Sequence, residues 1–317
     1  MVIEKIYDEQ IATSNLTEFA LGYDDVKHHS WYDNLDYIIE LVSQKFTDDD
    51  LIMDYSCGTG IVGERLNENG LNPKILMLDA SLKYLRLAYE KFHNNKNYFF
   101  RLLNFKKGLE LSLVENFSKK LNGIICTNAV HLYPNIEETF LNWYSLLNED
   151  GTLIINSGNI LNKKMQSNDS VLIDQTVNDI FKISYQIVEN NSKYYKYLSK
   201  VNDSQWNKKY VELKDKYFLP IKDIEYYTNK LTEVGFIINE VKTIDIDANV
   251  DEWYDFLKVY DDGILGWIGG VEKVTGDIPT LEDIQNRLDI MKEALDIIFN
   301  GKKNFKASWN YIICSKK

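Results

Sequence analysis

Short apolar runs alternate with longer stretches of helical periodicity through the first half of the chain. The apolar runs are strand candidates, and they span residues 51–55, 74–79, 97–103, 122–128 and 151–157. Between them, residues 81–92 and 135–147 repeat apolar side chains at helical spacing. In the second stretch, Ile136, Phe140 and Trp143 share one face. Apolar strands that alternate with helices predict an α/β domain whose parallel sheet is covered on both faces.

The pattern changes on either side of this region. Residues 34–46 have helical periodicity ahead of the first strand, so an N-terminal helical segment precedes the sheet. Residues 160–220 are rich in Asn, Lys and Tyr and show helical stretches without a clear strand. The strand pattern returns at residues 235–246, a helix follows near 251–260, and residues 307–317 form a last strand. The chain therefore reads as one α/β domain with an inserted helical cap.

These changes predict four parts. They are an N-terminal helical lid segment (1–46), an α/β core (47–159), a helical cap insertion (160–224) and a C-terminal part of the core that carries a helical insertion (225–317). Residues 281–298 hold an apolar stripe at three- and four-residue steps, made of Leu281, Ile284, Leu288, Met291, Leu295 and Ile298. The stripe fits packing within its own domain or a dimer seam, so monomer and homodimer both stay open.

The net charge and the cysteine content limit the classes of binding partner that the protein is expected to have. The formal net charge of −12 argues against nucleic acid, whose phosphates require a basic surface. The sequence has no apolar span of membrane length, and its N-terminus lacks the apolar core of a signal peptide. Cys57, Cys126 and Cys314 are far apart, which argues against a disulfide framework or a metal site. We expect a cytoplasmic protein whose partners are small molecules, with neither nucleic acid nor membrane among them.

Residues 58–63 match the G-x-G-x-x-G pattern of dinucleotide-binding loops. The pattern alone is weak, because glycines also let a helix pack closely on a strand. Asp54 lies at the end of the preceding strand, where a carboxylate would oppose a pyrophosphate but attract an ammonium group. Asp79 ends the next strand, where a carboxylate can accept both hydroxyls of a ribose. Helix capping or turn formation is the alternative for both aspartates.

The motif D-Y-S-C-G-T-G at residues 54–60 closely resembles the D-x-x-C-G-T-G motif of class I S-adenosylmethionine-dependent methyltransferases of the small-molecule branch. Weaker family motifs follow in the expected order, at residues 78–81, 126–131 and 146–151. The resemblance covers residues 30–160, 225–260 and the last strand. It implies a Rossmann-like class I methyltransferase sheet, with S-adenosylmethionine as cofactor and S-adenosylhomocysteine as product.

The resemblance also implies roles for individual residues. The backbone of the loop would pass under the cofactor at Cys57, Gly58, Thr59 and Gly60. Asp54 would lie near the amino group of the cofactor, Asp79 would hold the ribose, and Ala80 would border the adenine.

Two further strand ends carry cofactor residues on the same resemblance. Asn104 and Phe105 follow the third strand, where the family often has an acidic residue that meets the adenine amino group. Asn104 departs from that pattern, although its amide oxygen can accept the same hydrogen bond. Thr127 and Asn128 would lie beside the methionine portion of the cofactor.

Methyl transfer from a sulfonium is an in-line displacement, so the protein mainly aligns the acceptor and excludes water. His131 follows the fourth strand at the carboxyl edge of the sheet, where it could act as a base or orient the acceptor. The alternative is a loop histidine that only contacts backbone or substrate.

Aromatic side chains suggest an acceptor site. Tyr23, His28, Trp31 and Tyr32 precede the sheet and could fold over the cofactor, or they could pack against the sheet edge. Tyrosines of the cap could line an acceptor pocket or anchor the cap helices. Trp267 lies in a glycine-rich segment that we expect at the pocket rim.

The sequence thus predicts an enzyme that transfers methyl groups to an O-, N- or C-nucleophile of a small molecule. Two alternatives remain: an NAD-dependent oxidoreductase, and a non-catalytic module that binds S-adenosylmethionine.

Overall fold

The computed structural model describes residues 27–317 except 104, 107, 108, 111–119, 134, 166 and 168. Within these residues, the long strands are β1 (Leu51–Tyr55), β2 (Lys74–Asp79), β3 (Tyr98–Leu102), β4 (Leu121–Thr127), β5 (Leu147–Ser157), β6 (Phe236–Asn249) and β7 (Asn304–Lys316). They form one sheet in the order β3-β2-β1-β4-β5-β7-β6. Strands β1 to β5 pair in parallel, and β7 runs antiparallel to both of its neighbours. The predicted α/β sheet is confirmed, and the antiparallel β7 makes it mixed rather than wholly parallel.

The helices alternate with the first strands and then form a separate group. They are α1 (Asp36–Lys45), α2 (Ile61–Glu68), α3 (Leu82–Phe92), α4 (Ile136–Leu146), α5 (Gln175–Asn190), α6 (Leu198–Val201), α7 (Ser204–Tyr217), α8 (Ile224–Val234), α9 (Val250–Leu257), α10 (Asp261–Leu265), α11 (Glu272–Thr275) and α12 (Leu281–Ile298). Short 3-10 helices span Ser30–Leu35, Val130–Leu132, Ser192–Tyr197 and Lys258–Tyr260. Polar side chains cap the N-termini of several helices. Ser81 accepts a hydrogen bond from the N–H of Tyr84, and Thr280 forms a capping box with Asp283.

Both faces of the sheet are buried, as expected for parallel strands between helices. Alternate residues of β1 point to opposite faces. Met53 and Tyr55 pack in the cluster that contains Trp143 of α4 and Tyr227 of α8. Ile52 packs on the other face, in the cluster shared with α2, α3, the N-terminal segment and the cap.

The two helical insertions pack against each other. Helix α12 contacts α5, and α10 contacts α7. The indole N–H of Trp253 in α9 donates to the hydroxyl of Thr176 in α5 at 2.8 Å. The cap and the later helical insertion therefore share one buried cluster with one face of the sheet, although they are separate in sequence.

Two local expectations need correction, and the stripe on α12 can be described more closely. The region predicted to lack strands contains Ile160–Leu161 and Ser170–Val171, and the second of these extends the sheet beside β7. The glycine-rich segment around Trp267 is largely buried, because Arg287 donates to the carbonyls of Ile268 and Gly270 and so ties it to α12. The stripe on α12 is buried only towards its C-terminal end, at Met291 and Leu295, while Leu281 is 87% exposed.

Candidate functional site

A cavity of about 590 Å³ opens at the carboxyl edge of β1, β2, β4 and β5. Open α/β sheets bind ligands at this edge, because the loops that follow parallel strands meet there. The predicted site residues that line the cavity are Trp31, Tyr32, Cys57, Gly58, Thr59, Asp79, Ala80, Thr127, Asn128 and His131. The structure therefore brings together residues from four separate predicted segments.

The glycine loop after β1 is shaped by left-handed backbone. Gly58 and Gly60 have φ values of +55° and +88°, a region that glycine adopts without a steric penalty. A Cβ atom on Gly60 would lie 2.8 Å from Cε2 of Phe92, so this glycine allows α2 to pack on α3. A Cβ atom on Gly58 would meet nothing within 4 Å. Gly60 thus serves packing, and Gly58 leaves backbone open to a ligand in the cavity.

Asp79 is the carboxylate in the wall of the cavity nearest this loop. Its Oδ2 accepts from the N–H of Gly58 at 2.8 Å, and its Oδ1 accepts from the N–H of Ser81 at 2.7 Å. Burial raises the pKa of Asp79, and these backbone N–H groups oppose that rise. A carboxylate has about four lone-pair sites, so Asp79 retains capacity to accept further hydroxyl donors.

Asp54 lies in a different environment. It shares a sheet face with Ile52, is 1% exposed and does not line the cavity. Neither of its carboxylate oxygens has a hydrogen-bond partner among the described residues. Burial, and secondarily the charge of Asp79, raises the pKa of Asp54 to about 8. Its position differs from the expected one in the wall beside the cofactor amino group, because the alternation of β1 directs residue 54 into the sheet–helix interface.

The ends of β4 and β5 are joined through Asn128. This residue has a φ of +51°, which is uncommon for a residue other than glycine. Its N–H donates to the carbonyl of Asn156 at 2.8 Å, and its Oδ1 accepts from the N–H of Gly158 at 3.3 Å. These bonds hold Thr127 and Asn128 at the cavity wall beside Ser157.

His131 lies in the 3-10 helix after β4, with Nδ1 3.2 Å from Oγ of Ser157. Burial lowers the pKa of His131 to about 4, so its imidazole is neutral at pH 7. The hydroxyl of Ser157 also accepts from the N–H of Asn159 at 2.9 Å. If the remaining hydroxyl proton is donated to Nδ1, then Nε2 carries the imidazole proton and is a hydrogen-bond donor. This arrangement suits orientation of an acceptor better than proton removal.

Aromatic side chains form part of the cavity lining, and we call them the aromatic wall. We use this name for Trp31, Phe218, Trp253, Phe256, Tyr260 and Trp309, all of which line the cavity. The rings of Trp31 and Trp309 lie parallel with centroids 6.4 Å apart, and Phe256 meets Trp31 edge-on at 5.7 Å. Tyr260 links Phe256 to Phe218, at 5.3 and 5.7 Å. The wall combines the N-terminal segment, the cap, α9 and β7.

Other predicted site residues lie elsewhere. Trp267 is fully buried, stacks on Tyr185 at 4.5 Å and donates to the hydroxyl of Ser184. It does not reach the cavity, so its predicted place at the rim is wrong; the large ring is a core anchor of the helical group. His28 is exposed and does not line the cavity. Tyr23, Asn104 and the side chain of Phe105 lie outside the described residues.

The sequence reasoning missed a second set of lining residues. They are Ser56, Tyr133, Ser157, Asn159, Asp174, Phe218, Trp253, Phe256, Tyr260 and Trp309. Among them, Tyr133 places its hydroxyl 2.7 Å from Oγ of Ser56, whose φ of +64° is also uncommon. The helical spacing of Trp253, Phe256 and Tyr260 was the available sequence signal, since such spacing places three rings on one face.

Comparisons with known proteins agree with this architecture. A family model described as a methyltransferase domain matches residues 46–235. The YcgJ protein of Bacillus subtilis superposes with a TM-score of 0.51 at 13% identity, over 90% of this chain and 99% of that one. The [4+2]-cyclase SpnF gives 0.51 at 12% identity, over 91% and 83%. At these identities, both structures show the fold alone.

The other comparisons give a weaker structural match and no curated sequence match. Phosphoethanolamine N-methyltransferase 2 of Haemonchus contortus, solved with S-adenosyl-L-methionine, has a TM-score of 0.48 at 12% identity. The match covers 93% of this chain, which spans only 56% of the length of that enzyme. No curated protein sequence matches the chain.

Proposed function

The chain belongs to the methyltransferase-domain family, whose model matches residues 46–235, and we propose that it transfers a methyl group from S-adenosylmethionine to a small molecule held in the cavity. The observation that carries this proposal is that one cavity joins the predicted cofactor residues to the aromatic wall. A cofactor at the first and an acceptor at the second would lie side by side.

The residues at the strand ends fit S-adenosylmethionine. Gly58 leaves backbone open beside the cavity, and Asp79 has lone pairs left for the ribose hydroxyls. The unpartnered carboxyl of Asp54 lies close enough to Asp79 for their charges to interact, and a nearby ammonium group would favour its ionised form. When bound, the cofactor supplies an activated methyl group and leaves as S-adenosylhomocysteine.

The chain's own contribution is alignment and exclusion of water. The aromatic wall supplies an apolar surface for the acceptor, and the neutral imidazole of His131 supplies a hydrogen bond to it. Neither role requires a charged general base, so acceptor atoms that are already nucleophilic suit this site best.

A small acceptor is supported by size and charge. Ligand sites for small molecules typically measure about 300–1,000 Å³, and this cavity of about 590 Å³ must hold cofactor and acceptor together. The net charge of −12 disfavours nucleic acid as acceptor. No helix among the described residues is long and apolar enough to cross a membrane.

We also propose the four-part division at residues 46, 159 and 224, with the lid segment and the cap covering the acceptor side. Trp31 of the lid segment and Phe218 of the cap support this division, because both contribute to the aromatic wall. A cytoplasmic location and a monomeric or homodimeric state remain predictions.

Titration calorimetry with the full chain tests the cofactor part of the proposal. We expect binding of S-adenosylmethionine and S-adenosylhomocysteine, and none of NAD. Binding of NAD alone would support the oxidoreductase instead. Transfer of a labelled methyl group to small molecules of a metabolite extract tests turnover. Cofactor binding without transfer to any extract would favour the non-catalytic module or, as the [4+2]-cyclase on this fold illustrates, another reaction.

A further inference from the structure

One carboxylate in the cavity wall has no partner and no assigned role. Asp174 lines the cavity immediately before α5, and its side chain makes no capping hydrogen bond to that helix. Its carboxylate makes no hydrogen bond or ion pair with any residue in the part of the chain that the structure describes. Burial raises the pKa of Asp174 to about 6. Asp174 is half-buried and faces the cavity, so its unpaired carboxylate is available to a ligand there.

A second lining residue has an unsatisfied hydrogen-bond acceptor. Asn159 is 1% exposed, and its Oδ1 has no hydrogen-bond partner within the described part of the chain. Its Nδ2 donates a hydrogen bond to the carbonyl of Leu219 at 3.4 Å. Asn159 and Asp174 thus both offer unpaired oxygen atoms, which call for N–H or O–H donors on the ligand.

The charges around the cavity all have one sign. Its ionised lining groups among the described residues are Asp79 and Asp174, and neither lysine nor arginine lines it. His131 contributes no positive charge at neutral pH. A ligand phosphate or carboxylate would find no counter-charge here. A cation would find Asp174, and it would also find the faces of aromatic rings, which attract positive charge.

The aromatic wall gives such a cation an apolar surrounding. Ile173, the neighbour of Asp174, lines the same cavity. Trp309 also lines it, and the parallel rings of Trp31 and Trp309 present broad apolar faces. The surface therefore fits a molecule with one flat apolar part and one positively charged end.

We propose that the acceptor is an apolar, ring-containing amine whose protonated amino group pairs with Asp174 beside the aromatic wall. This inference rests on the proposed function of the cavity as an acceptor site. It concerns binding: an ammonium group held by Asp174 has no lone pair, so this group positions the molecule for methylation at another atom.

The test compares amines with carboxylates of the same shape. The probes are tryptamine and 2-phenylethylamine, their carboxylate counterparts indole-3-propionate and 3-phenylpropionate, and neutral 3-ethylindole. Each is titrated calorimetrically into the full chain saturated with S-adenosylhomocysteine at pH 7.5. We expect at least one amine to bind about 10-fold or more tightly than its carboxylate counterpart, the scale of one charge-assisted hydrogen bond. A series in which no amine binds more tightly than its counterpart would overturn the proposal.

Variants assign the preference to a residue. Asp174→Asn keeps the shape and should lower amine affinity about 10-fold while leaving 3-ethylindole and S-adenosylhomocysteine unaffected. Asp179→Asn is the matched control, since Asp179 lies on α5 but does not line the cavity. Equal amine affinity in the Asp174 variant and the wild type would overturn the assignment. If the proposed function is wrong, the chain will not bind S-adenosylhomocysteine. The amine preference is a separate result, because it is measured by binding and does not require methyl transfer.

Discussion

The backbone N–H of Gly58 donates a hydrogen bond of 2.8 Å to Oδ2 of Asp79, and this bond joins the loop after β1 to the end of β2. Asp79 therefore fixes the backbone of the glycine loop and also faces the cavity. In the proposed function, one carboxylate supports both the shape of the cofactor site and a polar contact with the cofactor, so its removal should affect binding more than stability.

We predict that Asp79→Ala lowers the affinity for S-adenosylhomocysteine about 10- to 100-fold, because charge-assisted hydrogen bonds of about 1.5–3 kcal/mol are lost. Titration calorimetry measures the change. Asp49→Ala is the control, since the Asp49 side chain is fully exposed and Asp49 precedes β1, at the end of that strand opposite the glycine loop. An unchanged affinity in a folded Asp79 variant would place the ribose site elsewhere.

The two glycines of the loop should respond differently to alanine. Gly58→Ala forces a side chain into left-handed backbone at a cost of roughly 1–2 kcal/mol and places a methyl group in the space open to the cofactor. Gly60→Ala has the same backbone penalty and also drives its Cβ into Phe92, which adds about 1–3 kcal/mol of overpacking.

Urea unfolding and calorimetry on the same two variants test this difference. Gly60→Ala should lose more stability, and Gly58→Ala should lose more cofactor affinity relative to its stability loss. Equal losses of stability in both variants would contradict the packing role assigned to Gly60.

The part of the cavity that we propose for the cofactor was predictable as a cluster of lining residues, because its residues lie close to strand ends in the sequence. The strands that end at Tyr55 and Asp79 have the predicted bounds, since both are mainly apolar runs flanked by turn residues. Glycines and an aspartate at fixed distances from those strand ends are a pattern that a single segment displays. Parallel strands then bring the separate segments to one edge without further information.

The aromatic lining that we propose for the acceptor could not be predicted from local sequence. Trp31, Phe218 and Trp309 meet only because the N-terminal segment, the cap and the last strand pack together. Local periodicity predicts that each ring is buried, but it does not predict which residues the ring packs against. Trp267 shows the limit, because its aromatic character and glycine neighbours fit a pocket rim as well as the core position that it occupies.

Asp54 should make the stability of the ligand-free protein depend on pH. Its folded pKa of about 8 lies above the ordinary value of 3.8, so the native state keeps a proton that the unfolded state releases. The free energy of unfolding should therefore decrease as pH rises from about 4 to about 8. Asp54→Asn removes this decrease, and its stability relative to the wild type should increase over the same range.

Urea denaturation of the wild type and the Asp54→Asn variant at pH 5, 6.5 and 8 measures this effect. Asp49→Asn serves as the control for the loss of a surface carboxylate, because the Asp49 side chain is fully exposed. Parallel pH profiles for the wild type and the Asp54 variant would show that Asp54 is ionised in the folded protein at neutral pH.

His131 gives the last prediction, which concerns protonation and catalysis together. Its pKa is lowered to about 4 by burial, below the ordinary value of 6.5, so its imidazole should stay neutral as the pH falls from 7 to 5. The unfolded chain gains a proton over part of that range, so this group lowers stability as pH falls from about 6.5 towards 4. An NMR titration of the resonance that His131→Gln removes reports the folded value directly. A midpoint near 6.5 would contradict the buried position.

The kinetic consequence separates the two roles of this side chain. If Nε2 carries the proton and donates to the acceptor, His131→Ala should act mainly through the Michaelis constant of the acceptor. If the imidazole removes a proton, turnover should fall on the order of 100-fold. Ser157→Ala should then weaken the first role, because it removes the hydroxyl 3.2 Å from Nδ1 that favours the donor form at Nε2. We expect the effect on the Michaelis constant in both variants, with S-adenosylhomocysteine affinity unchanged; normal kinetics in both would leave His131 without a role in the reaction.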